Sequence, residues 1–201
     1  MTGKTHAGIG IVTYIGLCDK LPGKFSYIGI VVVGVASLLP DVDHPKGILN
    51  KYILPFKNKT TKVAIYVGMG LITLLLDHFC FNKPIIKVLG FILVMIGFSS
   101  HREGITHSIV GMALFTLIAS YLGKMYGISD VAYYFLIGYG MHLLCDMLTK
   151  RGVPIFYPFK NKKYKSPVNF STGSKIGKIV EEIIMMVGLM YAIYKLPFIL
   201  F

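Results

Sequence analysis

Residues 63–81 read VAIYVGMGLITLLLDHFCF. Fourteen residues pass before the first charge, Asp77. Ordinary strands run to ~5–6 residues, so this length argues for a helix. At ~1.5 Å per residue such a helix nearly matches the ~30 Å hydrocarbon core of a bilayer. Gly68 and Gly70 lie inside the run, and small residues let helices approach closely in lipid.

The rest of the chain repeats this pattern. Further apolar stretches cover 7–18, 25–39, 85–99, 107–123, 131–148 and 179–200. By length, 63–81, 107–123, 131–148 and 179–200 are expected to span. The first two stretches are short and joined by LCDKLPGKF (17–25). They read either as a tilted or re-entrant hairpin or as two spans through a thinned bilayer. The 201 residues are 54% hydrophobic and only 15% charged, with mean hydropathy +0.66; soluble domains average ~25% charged. The expected fold is therefore all-α: one polytopic membrane helical bundle over 1–201, with larger polar loops at 40–62 and 149–178. MTGKTHAGIG has no signal-peptide pattern, so the amino terminus is expected to be retained. Cys18, Cys80 and Cys145 sit in apolar sequence without a pairing pattern.

Charge orients the bundle. There are 21 Lys and Arg against 9 Asp and Glu, net +12. Fifteen of the cations fall in the N-terminus and the loops 40–62, 100–106 and 149–178, which alternating helices bring to one face. The positive-inside rule makes that face cytoplasmic. Lysines in short loops between apolar runs fit anionic headgroups better than nucleic acid, so no nucleic-acid partner is expected.

On the same face fall His6, Asp41, Asp43, His44, His101, His107, His142 and Asp146. Each has an ordinary reading. Asp in PDVDHP could stabilise a turn, His6 could be solvated, and His101 and His107 could be interfacial. His142 and Asp146 share a helix face at i, i+4 and could satisfy each other. Together they form the imidazole and carboxylate set that binds Zn²⁺ and related divalent ions. Their number exceeds one tetrahedral site, which suggests two or three ions or ligands with orienting partners. Asp77 and His78 adjoin and fall on the other face, outside the expected cluster.

The ordered motifs LPDVDHP (39–45), HREGITHS (101–108) and HLLCD (142–146), with His6 before them, resemble the YdjM-like family of inner-membrane metal-dependent hydrolases. The resemblance covers residues 1 to about 170 and is most specific at His101, Arg102, Thr106, His107 and Ser108. Glu103 stands where the family has a small residue, and reads as a ligand, an acid behind the ligands, or a tolerated change. The family is in turn similar to zinc-dependent phospholipase C and P1-type nucleases. That likeness implies that His142 and Asp146 act as a metal-binding pair and that Asp41 or Asp43 bridges metals.

The expected activity is hydrolysis of phosphoester bonds in a phospholipid or other anionic membrane-associated substrate, with zinc as the expected divalent metal. His6, Asp41, His44, His101, His107, His142 and Asp146 would bind metal. Arg102 would hold a phosphoryl oxygen, and Asp43 or Glu103 would move a proton. Thr106 is expected to cap the following helix, with Ser108 a helix-start residue. The basic stretch KNKKYKSP (160–167) reads as a topology signal or as an attractor for anionic substrate or lipid. The competing reading is a metal-ion or proton transporter; oligomeric state is left open.

Overall fold

A computed structural model of the chain describes residues 1–20, 25–44, 50–99 and 104–200. Eight helices order along it: α1 (Gly3–Leu17), α2 (Tyr27–Leu38), α3 (Asn50–Ile53), α4 (Lys59–Leu76), α5 (Pro84–Phe98), α6 (Ile109–Met125), α7 (Val131–Met147) and α8 (Lys175–Leu200). Short 3₁₀ turns, Pro40–Asp43 and Ile105–His107, follow α2 and precede α6. The described residues contain no strand, only isolated bridges at Thr149–Phe170 and Val153–Tyr164.

Local chemistry sets the helix starts. Thr2, Asn58 and Ser108 cap α1, α4 and α6, their side-chain oxygens accepting from the amides of Thr5, Thr61 and Gly111. Pro84 opens α5, where its missing N–H costs no helix bond. A wider turn, Asp77–Phe81, in which the Asn82 amide donates to the Asp77 carbonyl five residues back, ends α4 at Asn82, whose φ of 45° is left-handed.

α7 is the centre. Nine of its 17 residues are buried, against three of 26 in α8. Ala36, Phe115, Phe135, Tyr139 and Leu143 form one core between α2, α6 and α7. Tyr14, Cys18, Val33 and Tyr134 form a second, which includes α1. Val42, Leu54, Tyr66 and Ile96 form a third under the α4–α5 hairpin.

Two glycines let neighbouring helices approach closely. A Cβ on Gly138 would run into the Val33 carbonyl of α2, and one on Gly70 would sit 2.8 Å from the Gly90 carbonyl oxygen. The first contact matters for the site, because it sets α2 against α7 one turn from His142.

Among the described residues two helices, Lys59–Phe81 and Lys175–Leu200, are long and apolar enough to cross a membrane. They contain the expected spans 63–81 and 179–200. The other two expected spans become α6 and α7, each of 17 residues and so ~25 Å long. The α8 surface is nearly all apolar and exposed, including Ile179, Ile183, Val187 and Ile193. A surface of this kind suits lipid contact.

Candidate metal centre

The starts of α1 and α6 meet the ends of α2 and α7 at one end of the bundle. There Asp41, His107, His142 and Asp146 each offer a ligand atom, and all four atoms lie within 4.8 Å of one another. The three from His107, His142 and Asp146 are fully buried, while Asp41 is 20% exposed and is the way in. His6 joins them from α1. Its ring stacks on His142 at 3.9 Å between centroids, and its Nε2 lies 3.4 Å from Asp146 Oδ1. Neither buried ring nitrogen of His6 completes a hydrogen bond. The Met1 amino nitrogen is 3.0 Å from the same Asp146 oxygen.

Hydrogen bonds on the far side of each ring assign the protons. His142 Nδ1 is 2.8 Å from the Ser37 carbonyl oxygen, which can only accept. Nδ1 therefore carries the proton, and Nε2 turns a lone pair to the centre. His107 reaches the same state through a relay. Thr106 Oγ1 donates its one proton to Asp43 Oδ2 at 2.5 Å, so it must accept from His107 Nδ1 at 3.2 Å. Support of this kind behind a ligating histidine fixes both tautomer and orientation.

The result is two imidazole lone pairs and two carboxylates aimed at one point. His107 Nε2 is 3.4 Å from His142 Nε2, 3.6 Å from Asp146 Oδ2 and 3.8 Å from Asp41 Oδ1. His142 Nε2 is 3.7 Å and 4.0 Å from the same two carboxylate oxygens. A tetrahedral ion with bonds of ~2.1 Å holds its ligand atoms ~3.4 Å apart. The observed spacings run from this value to 4.0 Å, so a small contraction fits an ion. Burial pushes the Asp41 carboxyl up, but the His107 and His142 imidazoles beside it outweigh this and hold it below the usual carboxylate range.

Asp43 stands behind the cluster rather than in it. Its Oδ2 accepts from Ser99 at 2.8 Å as well as from Thr106. The 3₁₀ turn explains the split, because it directs the two carboxylates of the DVD sequence to different neighbours. His44 is also outside the four-residue group, and its carbonyl oxygen accepts from Asn50 at 2.7 Å. Thr106 caps no helix: Ser108 caps α6, accepting from Gly111 N at 3.1 Å, while Thr106 serves the relay. His101, Arg102 and Glu103 lie outside the described residues. Asp77 and His78 are not in the group either, as expected; Asp77 Oδ1 accepts from the Lys83 amide.

Several supporting residues escaped the sequence reading. Lys62, counted there among the cations of one face, is 2% exposed, and its Nζ donates to the carbonyls of Asp43 and Ser99. Tyr66 OH donates to Asn50 Oδ1, and Asn50 Nδ2 donates to the Val42 carbonyl. Tyr139 OH donates to the Thr106 carbonyl at 2.5 Å. The only hint in the sequence was that Lys62 stands directly before the apolar run.

Comparison with known proteins adds a family. The family described as YdjM inner membrane protein matches residues 1–199. The inner membrane protein YdjM of Escherichia coli (strain K12) is 29% identical over 128 residues, which is 62% of this chain and 46% of that protein. The YdjM protein of Shigella flexneri matches to the same extent. The chain thus spans about half the length of the curated relatives it matches. No solved structure matches, and the expected likeness to phospholipase C and P1-type nucleases finds no support in these comparisons.

Proposed function

The chain belongs to the YdjM inner membrane protein family, and from that premise and the geometry of the cluster we propose that it is a membrane-bound, metal-dependent hydrolase of phosphoester bonds. One observation carries the reading: two buried imidazoles, each held from behind through Nδ1, and two carboxylates bring four ligand atoms within 4.8 Å of one another. Asp41, His107, His142 and Asp146 would hold a divalent ion, zinc being the proposed one, and His6 would complete the set beside Asp146 or take part in a second site. When bound, such an ion supplies Lewis acidity, both for a phosphoryl oxygen and for acidifying water near neutral pH.

The chain's own residues do the rest. Ser37 and the Asp43–Thr106 pair orient the rings, and Lys62 and Tyr139 fix the turns that carry that pair. Asp43 is thereby proposed as a positioning residue, in place of the proton-transfer role expected from sequence. Arg102 and Glu103, five and four residues before His107, keep their proposed roles of holding a phosphoryl oxygen and moving a proton. Asp41, the one partly exposed member, sits where substrate would enter. The excess of cations in the loops at this end supports a cytoplasmic orientation and an anionic substrate.

Transport of a metal ion or proton is the competing reading. Transport sites lie near the membrane midplane on broken helices, whereas these donors sit at helix ends. The test is metal analysis of protein purified without chelator, joined to a screen of phosphomonoesters and phosphodiesters. Bound metal with turnover that is lost in His142→Ala supports the hydrolase. Metal flux into sealed vesicles without turnover would overturn it.

A further inference from the structure

We propose that residues 149–178 form a docking surface for the anionic headgroups of the bilayer that holds the protein; this is independent of the hydrolase reading. The segment carries Lys150, Arg151, Lys160, Lys162, Lys163, Lys165, Lys175 and Lys178 and no Asp or Glu. All eight cations are exposed. Charge alone would describe any solvated loop, but two further features set this one apart.

The segment is folded. Val153 and Tyr164 exchange backbone hydrogen bonds at 3.0 and 2.8 Å. Lys150 N donates to the Phe170 carbonyl, Phe170 N to the Leu148 carbonyl, and Ser166 N to the Met147 carbonyl. Ile109 N donates to the Ile155 carbonyl. These bonds pin the segment to the end of α7 and the start of α6, beside Asp146 and His107. Its cations are thus presented on a fixed platform.

Large apolar side chains also point outward from that platform. Phe159 is 82% exposed and Val168 83%, close in sequence to Lys160, Lys162 and Lys165. A folded element gains nothing by showing these groups to water. Cations with protruding apolar groups are the pattern of surfaces that sit at the headgroup boundary, the charges on phosphates and the apolar groups below them. Single-stranded nucleic acid also uses basic and aromatic groups, but it needs stacking faces, and Val168 offers none.

The chain has no Trp, so Phe159→Trp and Val168→Trp each give one fluorophore at an exposed position. Each full-length variant is reconstituted into phosphatidylcholine vesicles with and without phosphatidylglycerol. Anionic vesicles should shift the emission to the blue and allow quenching by lipids brominated near the headgroup. Both effects should fade at about 1 M salt, where the screening length is ~3 Å. Adding Lys160→Gln, Lys162→Gln and Lys165→Gln should lower the docked-to-free ratio by about fivefold per charge. Equal emission in both bilayers, or docking indifferent to salt and to the Gln changes, would overturn the proposal. So would an equal shift in zwitterionic vesicles on adding an oligonucleotide, which would reassign the surface to nucleic acid.

Discussion

Replacing Thr106 with Val keeps the shape of the side chain and removes one oxygen, and the site should lose most of its grip on metal. That oxygen donates to Asp43 Oδ2 at 2.5 Å and accepts from His107 Nδ1 at 3.2 Å. Asp43 keeps Ser99 at 2.8 Å, so its loss is partial. His107 Nδ1 loses the acceptor that fixes its proton. A buried donor left without a partner costs ~1–3 kcal/mol. The ring can recover part of this by moving its proton to Nε2, which then faces the carboxylates and blocks coordination. At ~1.4 kcal/mol per factor of ten, metal affinity should fall about 10- to 100-fold, the range usual for lost support behind a ligand. Chelator competition on the purified full-length chain measures the affinity, and histidine ¹⁵N shifts report the tautomer. Thr106→Ser restores the oxygen and should recover most of the binding. Wild-type affinity in Thr106→Val, or Thr106→Ser binding as weakly as Thr106→Val, would refute the relay.

Asp146→Ala should abolish metal content outright, since Asp146 approaches both rings and His6; elemental analysis showing metal retained would remove it from the ligand set. Gly138→Ala should push α2 off α7 and cost about 1–3 kcal/mol by overpacking, seen as a lower unfolding midpoint together with weaker metal binding. Metal should leave as the pH is made acid, because an imidazole must be free of its second proton to bind, with protons taken up as the ion is released. Asp41 has its own acid signature. Its carboxyl is held below the ordinary value of 3.8, so its contribution to stability is present above that pH and is lost as pH falls below it. Asp41→Asn should therefore flatten the part of the metal-free stability profile below about pH 4, and an unchanged profile would contradict the placement.

The helices and most of the His/Asp cluster could be read from the sequence because both depend on order along the chain. Apolar runs give helices, and alternation of direction brings His6, Asp41, His107 and Asp146 to one end whatever the packing details. Choices between near neighbours could not be read this way. Asp41 and Asp43 are two residues apart, and only the 3₁₀ turn determines that one enters the cluster and the other takes the Thr106 hydroxyl. Thr106 resembles a helix cap, but the cap is two residues later, at Ser108. Ser37 contributes a carbonyl, a group that every residue has, and its role depends on how closely Gly138 lets α2 approach α7. The runs 107–123 and 131–148 form helices of 17 residues each, and nine residues of α7 are buried in the protein, since an apolar run reports burial in lipid and burial in protein alike.

α8 rests chiefly on α1 and is fastened to it at both ends. Near the His/Asp cluster, Glu181 accepts from the Thr5 hydroxyl at 2.7 Å and from the Thr2 amide at 3.0 Å; at the far end Lys195 pairs with Asp19. With 26 residues α8 is ~39 Å long, enough to cross a hydrocarbon core of ~30 Å with its charged first two turns, Lys175 to Glu182, outside it. Riveted in two places, it cannot slide or swing without either tearing a rivet or dragging α1 along, and α1 carries His6. Any displacement of α8 is thus passed on to the ring that stacks on His142.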